Sequence, residues 1–388
     1  MVRARAAVAG ARAAWIVSGP GARPTMLELE HEQLGGSARS DDARSTLELS
    51  RGIPLANVAD GRRGVALARY ESARAESASL ARALTIEVRA TLERVRVLER
   101  GRQVFDRLVA LDAEVTAAAR ARVRDELITP LTARLVELDQ LRVERRRATH
   151  AIALEEALVE RIGWLGADAG AIVLASEAVE PESLTIAEDT IAARGREDAP
   201  AVLQARARIR EREAAERLLA REQHGDAHVA IGAFLERRPS ETATADDGGT
   251  RELGFRARVG VPLPWGTIDR MAVEQARSET GLAVQDERVV ALAAATEARR
   301  AHRRLRLAWS QHTRDASRAS QIDADLVRVR EAYRDGRIGL DAYLAEKDRL
   351  TESRLEGLES ELTYWEARAA LERALGLSFE AIASGATR

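Results

Sequence analysis

An internal repeat constrains this chain more than any other feature of its sequence. Residues 45–55 read STLELSRGIPL, and residues 254–263 read GFRARVGVPL. Aligning Ile53-Pro54-Leu55 with Val261-Pro262-Leu263 sets an offset of 208 positions. Further along, Val123-Arg124-Asp125 meets Tyr333-Arg334-Asp335 at an offset of 210. Leu135 then meets Leu344, Leu141 meets Leu350, and Leu165-Gly166 meets Leu375-Gly376. These landmarks keep their order while the offset drifts by one or two residues, so the chain is two copies of one unit and little else.

Within each copy the hydrophobic period changes type. Residues 25–32 (TMLELEHE) and 46–50 (TLELS) alternate apolar and polar side chains, a strand pattern. In the second copy Val229, Ile231 and Ala233 share one face, as do Phe255, Ala257, Val259 and Val261, with Arg256 and Arg258 opposite. Each segment has the length of about 9–12 residues that a tilted strand needs to cross a bilayer. After each strand pair comes Pro54, or Pro262 and Pro264, and then a long run without proline. At 1.5 Å per residue, about 60 such residues make a helix of about 90 Å. Seven-residue spacing marks that run: Val88, Val95 and Val109 form one row, and Leu98 and Phe105 another. In the return helix of copy two, Leu355, Leu358, Leu362, Trp365 and Ala369 step by three and four, a coiled-coil seam. The helices turn at 126–130 and at 336–340.

The expected fold is therefore mainly α with a small β part, a tandem repeat of strand pair plus long coiled-coil hairpin. The first repeat spans 1–166, with strands at about 24–34 and 45–55 and a hairpin over 61–165. A bridging segment, 167–226, contains a helix over 200–222. The second repeat spans 227–376, with strands at about 227–237 and 252–263 and a hairpin over 268–375; a short tail, 377–388, follows.

Composition agrees with long helices. Charged residues make up 31% of the chain and aromatics 3%. The net charge of −2 comes from a dense alternation of Arg with Glu and Asp, which leaves no Arg-rich face free of acid and excludes a nucleic-acid surface. Lys347 is the single lysine, an arginine preference that fits GC-rich coding better than function. No cysteine is present, which rules out disulfides and thiolate metal sites. No window reaches the roughly 18 apolar residues of a membrane-spanning helix.

Four strands cannot close a barrel, and open strand edges cannot face lipid. Strands of this kind must be contributed to a barrel shared between chains, and the long hairpins must likewise find lateral partners. A short barrel continuing into a helical tube meets both requirements.

At these residues the sequence resembles the TolC family of outer-membrane factors, and within it the heavy-metal (CzcC-like) branch. The resemblance is carried by residues 47–55 running into Gly61-Arg62-Arg63, by 259–270 (VGVPLPWGTIDR), by the turn 333–344 (YRDGRIGLDAYL) and by the closing 364–376 (YWEARAALERALG). It implies a homotrimer with a shared barrel in the outer membrane and a tunnel projecting into the periplasm. A periplasmic adaptor (membrane-fusion) protein and an inner-membrane pump of RND type would dock at the helix tips. The duct would pass metal ions or drugs without chemistry, as neither an enzyme nor a cofactor carrier. The docking tip implied by the resemblance comprises Arg124, Asp125, Glu126, Arg334, Asp335, Gly336, Arg337 and Asp341. Trp265, just after a strand, is expected in an interfacial aromatic belt. The sequence departs from the family pattern where Glu126 stands in place of glycine, where Asp341 falls one position early with Ala342 in the acidic slot, and where the helix before the first strand is incomplete. That last feature, residues 3–18 against 200–222, leads to the expectation of an N-terminally truncated reading whose upstream sequence holds the rest of the helix and a signal peptide.

Other constellations read as structural. His224 and His228 stand four apart but straddle the start of a strand, where they do not converge on a metal. His31, His150, His302 and His312 are isolated and polar-flanked. Arg145-Arg146-Arg147 is a solvated helix face, followed by Glu155-Glu156. Trp164, Trp309 and Trp365 lie at helical spacing as packing residues. No nucleophile elbow, phosphate loop or dinucleotide fingerprint occurs. The competing function is a soluble coiled-coil scaffold or an adaptor-like interaction protein. A scaffold does not need four strand-length segments at repeat-symmetric positions, and an adaptor would carry one hairpin flanked by β-rich modules rather than two equivalent copies.

Overall fold

The computed structural model describes residues 2–17, 25–33, 43–54, 57–166, 181–222, 226–238, 250–261 and 268–384. In chain order the elements are α1 (Val2–Val17), β1 (Met26–Gln33), β2 (Ala43–Pro54), α2 (Val58–Arg124) and α3 (Pro130–Leu165). They continue with α4 (Glu188–Asp198), α5 (Pro200–Glu222), β3 (Asp226–Arg238), β4 (Thr250–Gly260), α6 (Ile268–Arg334), α7 (Leu340–Leu375) and α8 (Phe379–Ala383). The mainly helical fold with a small antiparallel sheet and long hairpins is the one expected. The repeat is visible in the elements themselves. Helices α2 and α6 have 67 residues each, and α3 and α7 have 36 each. Starts at Val58 and Ile268, and at Pro130 and Leu340, both lie 210 positions apart.

The molecule divides into two compact units, and the division cuts across both copies. One unit comprises Met1–Ala78 and Leu203–Val290, and the other Ser79–Val202 and Ala291–Arg388. The first holds a four-stranded sheet of order β1-β2-β3-β4, antiparallel throughout. Period-two alternation and the register align like with like across all four strands. Leu27, Leu49, Ile231 and Ala257 form one transverse row, and Leu29, Leu47, Ala233 and Phe255 the next. This face is open: Leu29 is 76% and Phe255 78% exposed. The opposite face carries Glu28, Glu48 and Arg256 in register, with Glu48 and Arg256 paired at 2.6 Å, and the Arg44 guanidinium 4.3 Å from the Phe234 ring centre. Phe234 can lie flat because its partner is Gly254, where a Cβ would fall 2.2 Å from the ring. β1 and β4 pair on one side only, so both sheet edges are free among the described residues. In the same unit α5 packs on α2 through Val65, Ala68 and Ala214, flanked by Arg62–Glu222 and Arg69–Glu211 ion pairs. α1 rests on α2 by stacking Trp15 on Tyr70.

The second unit has the main core. Val97, Phe105 and Leu108 of α2 meet Leu305 of α6 and Leu358, Tyr364, Trp365 and Leu371 of α7. The heptad positions read from sequence are here: Val95, Leu98 and Phe105 are buried, as are Leu358, Trp365 and Ala369. Trp309 packs against this core, whereas Trp164 is 40% exposed, contrary to its expected packing role. Two small elements were not anticipated. α4 crosses α6 so closely that a Cβ on Gly195 would lie 2.7 Å from that of Ala298, and Glu188–Arg303 and Asp189–Arg299 pairs pin it there. The tail is α8, whose Phe379 and Ile382 are buried; the Phe379 N–H donates to the buried Glu372 carboxylate at 2.7 Å.

Candidate functional site: the hairpin tips

Each hairpin reverses through the same hydrogen-bonded turn. At the first tip the N–H of Leu127 donates to the carbonyl of Arg122 and that of Glu126 to Val123. At the second, Arg337 donates to Ala332 and Gly336 to Tyr333. These are the six-to-one and five-to-two bonds of a Schellman ending, which demands a left-handed residue at the turn. Gly336 takes it at φ 74, and Glu126 takes it at φ 59 with a side chain. A left-handed non-glycine residue is strained by roughly 1–2 kcal/mol, so the glycine missing from the first tip leaves a measurable cost. α3 then starts cleanly, with the Thr129 hydroxyl accepting from Thr132 N–H and Pro130 at the first helical position.

All eight residues expected at the tip, Arg124, Asp125, Glu126, Arg334, Asp335, Gly336, Arg337 and Asp341, are solvent-exposed. The second tip is locked by charge: Arg337 pairs with Asp335 at 2.6 Å, and that hydrogen bond holds the Asp335 carboxyl below the ordinary carboxylate value. The first tip instead exposes Leu127 and Leu131, which sequence reasoning did not single out. Their counterparts 210 positions on are Arg337 and Asp341.

Arg122 joins the two tips. Its guanidinium donates to the carbonyls of Tyr333 (3.2 Å) and Arg334 (2.5 Å) at the end of α6, and lies 5.2 Å from the Tyr333 ring centre. A cation on the last carbonyls also complements the helix dipole. Beneath it Tyr333 and Tyr343 stack at 4.9 Å within a shared core of Val115, Ala119, Ala133 and Val136. Burial pushes the Tyr343 hydroxyl well above its ordinary pKa. Nothing in the pattern around Arg122 distinguishes it from the other arginines of a charge-dense helix.

Of the histidines, His150 and His302 are not the isolated polar residues their flanks indicated. The His150 ring sits on Gly101, 2.8 Å from the Leu98 carbonyl, and His302 is buried, which lowers its pKa. His228 is exposed on β3, while His224 and Trp265 lie outside the described residues. Among the described residues no group of three or more His, Asp or Glu could hold a metal ion, and no helix is long and apolar enough to cross a membrane.

No protein-family model matches the sequence, and no curated protein is similar to it. Solved structures are. A membrane protein from Pseudomonas aeruginosa is similar with a TM-score of 0.74 at 17% identity, over 96% of this chain and 89% of that one. The Campylobacter jejuni CmeC outer membrane channel gives 0.72 at 11% identity, over 96% of this chain and 82% of its own. The open state of the Neisseria gonorrhoeae MtrE outer membrane channel gives 0.69 at 15% identity, over 96% and 86%. At these identities the likeness is one of fold.

Proposed function

We propose that this chain is one protomer of a TolC-like outer-membrane duct, a homotrimer whose copies close a common β-barrel in lipid and continue it as a helical tunnel in the periplasm. The observation that carries this reading is the sheet. Its four strands align apolar side chains in transverse rows on one exposed face, place charge on the other, and leave both edges unpaired. In water such a sheet is an aggregation hazard; in a closed barrel the same rows face acyl chains and every edge is paired. The fold shared with proteins described as outer membrane channels supports the reading. The exposed tips are the surface on which a periplasmic adaptor docks, with an inner-membrane pump of the RND type handing on metal ions or drugs, as the sequence resemblance to the heavy-metal branch implies. The test is behaviour in detergent: a duct requires detergent for solubility and runs as a heat-resistant trimer on a gel, while a scaffold does neither.

A further inference from the structure

The only lysine of the chain is buried. Lys347 of α7 extends its ammonium between Asp112 of α2, at 2.6 Å, and Asp139 of α3, which is closer still. All three side chains are more than nine-tenths removed from solvent. The two carboxylates come from the first hairpin and the cation from the second, so the cluster ties the hairpins together below their tips. One cation against two carboxylates leaves an excess negative charge in a dry site, which is costly unless something neutralises it.

The surroundings single out one carboxylate. Asp139 has a second cation nearby, Arg142 of α3 at 3.9 Å. Asp112 has Lys347 alone: its Oδ1 is engaged, and its buried Oδ2 has no hydrogen-bond partner. The groups that face Asp112 are Asp139 and, from α7, Lys347, Asp348 and the Tyr343 hydroxyl; Arg142 answers Asp348 at 3.2 Å, and Tyr333 and Arg330 of α6 approach through Tyr343.

We propose that Asp112, Asp139 and Lys347 form a proton-dependent clamp between the hairpins: Asp112 holds a proton, and Lys347 and Asp139 make the remaining, charge-balanced pair. Burial raises the pKa of Asp112 despite the opposing attraction of Lys347. The sign follows. The clamped state binds a proton that the opened, solvated state releases, so clamping is complete below the ordinary carboxylate pKa and weakens as pH rises through the raised one. Above it, Asp112 and Asp139 repel each other across a single ammonium. The clamp lies within one chain and operates whether or not that chain is a duct.

Amide hydrogen exchange on the full-length protein in detergent, in peptides covering 108–116, 136–143 and 343–351, tests this. After correction for the intrinsic exchange rate, local opening in the wild type should rise with pH by up to about tenfold per unit above the Asp112 pKa. Asp112→Asn, neutral at every pH, should remove that slope and stay at the protected, acid-side level. Lys347→Met, which leaves the two carboxyl groups without their ammonium, should open these peptides at neutral pH. If Lys347→Met does not fold, the Asp112→Asn comparison decides alone. A wild type without pH slope, or an Asp112→Asn protein with an unchanged one, would overturn the proposal.

Discussion

Helices α3 and α7 are the same element twice, 36 residues each, entered through the same turn, yet they are finished differently. α7 exposes no large apolar side chain; Leu358, Tyr364, Trp365, Leu371 and Leu375 are all buried against α2, α6 and α8. α3 exposes Leu131, Leu135, Leu138, Leu141, Ile152, Val159, Ile162 and Trp164. Among these, Leu131, Leu138, Ile152 and Val159 are spaced by sevens and fourteen, the repeat of a coiled-coil seam. One copy has its partners inside the chain, and the other carries a seam that the described residues leave uncovered. The free edges of the sheet repeat the lesson in β form. Free edges and an exposed seam call for further copies, and the number three in the proposed assembly comes from the sequence resemblance rather than from the protomer.

The comparison breaks first in α7. Leu371→Ala removes a fully buried side chain and should cost about 2–5 kcal/mol in denaturant unfolding. Ile152→Ala on α3 should leave the isolated protomer close to wild type. A similar cost at both sites would mean that the two helices are not differently employed. A second substitution sharpens it: Ile152→Glu should abolish trimers on crosslinking while circular dichroism keeps its helical signal. Loss of helix together with trimer would make the α3 face part of the protomer's own core.

The two tips allow a finer contrast. Gly336→Val forces a β-branched residue to a positive φ and should destabilise the turn by roughly 1–3 kcal/mol. Glu126→Gly relieves the same strain at the first tip and should be neutral or stabilising by up to about 1 kcal/mol. Under the docking proposal Gly336→Val also blocks efflux in cells while trimers persist, and parallel loss of trimers would reduce the tip to an ordinary turn. The smallest effect is expected at Arg134→Ala on α3, which removes an exposed pair with Glu137 worth about 0–1 kcal/mol.

Most of the fold was legible because its signals are periodic. Alternation marks β1 to β4, heptads mark α2 and α7, and the repeat places the second hairpin from the first. What was illegible depends on pairing across the chain. Asp139 and Lys347 are 208 residues apart, and no local pattern says that this lysine is buried. His302 is a polar residue that no sequence pattern marks as buried, and Arg122 reaches carbonyls 211 and 212 residues away. α8 is five residues long, too short for a periodic signal, and is held by Phe379, Ile382 and the carboxylate of Glu372. The turn residues were readable at Gly336, where glycine announces a positive φ, and not at Glu126, which adopts the same conformation with a residue that disfavours it.

The absence of cysteine makes the most direct test simple. One cysteine placed on β1 at Glu30 and a second scanned along β4 from Leu253 to Val259 set thiols on the two free edges. Disulfides form only where Cα atoms approach within about 7 Å. If neighbouring copies complete each other's sheet, oxidation of the detergent-solubilised protein at the matching register should give a ladder of linked chains that ends at three. A product that remains monomeric at every register, or a ladder that runs on without a stop, would contradict the account.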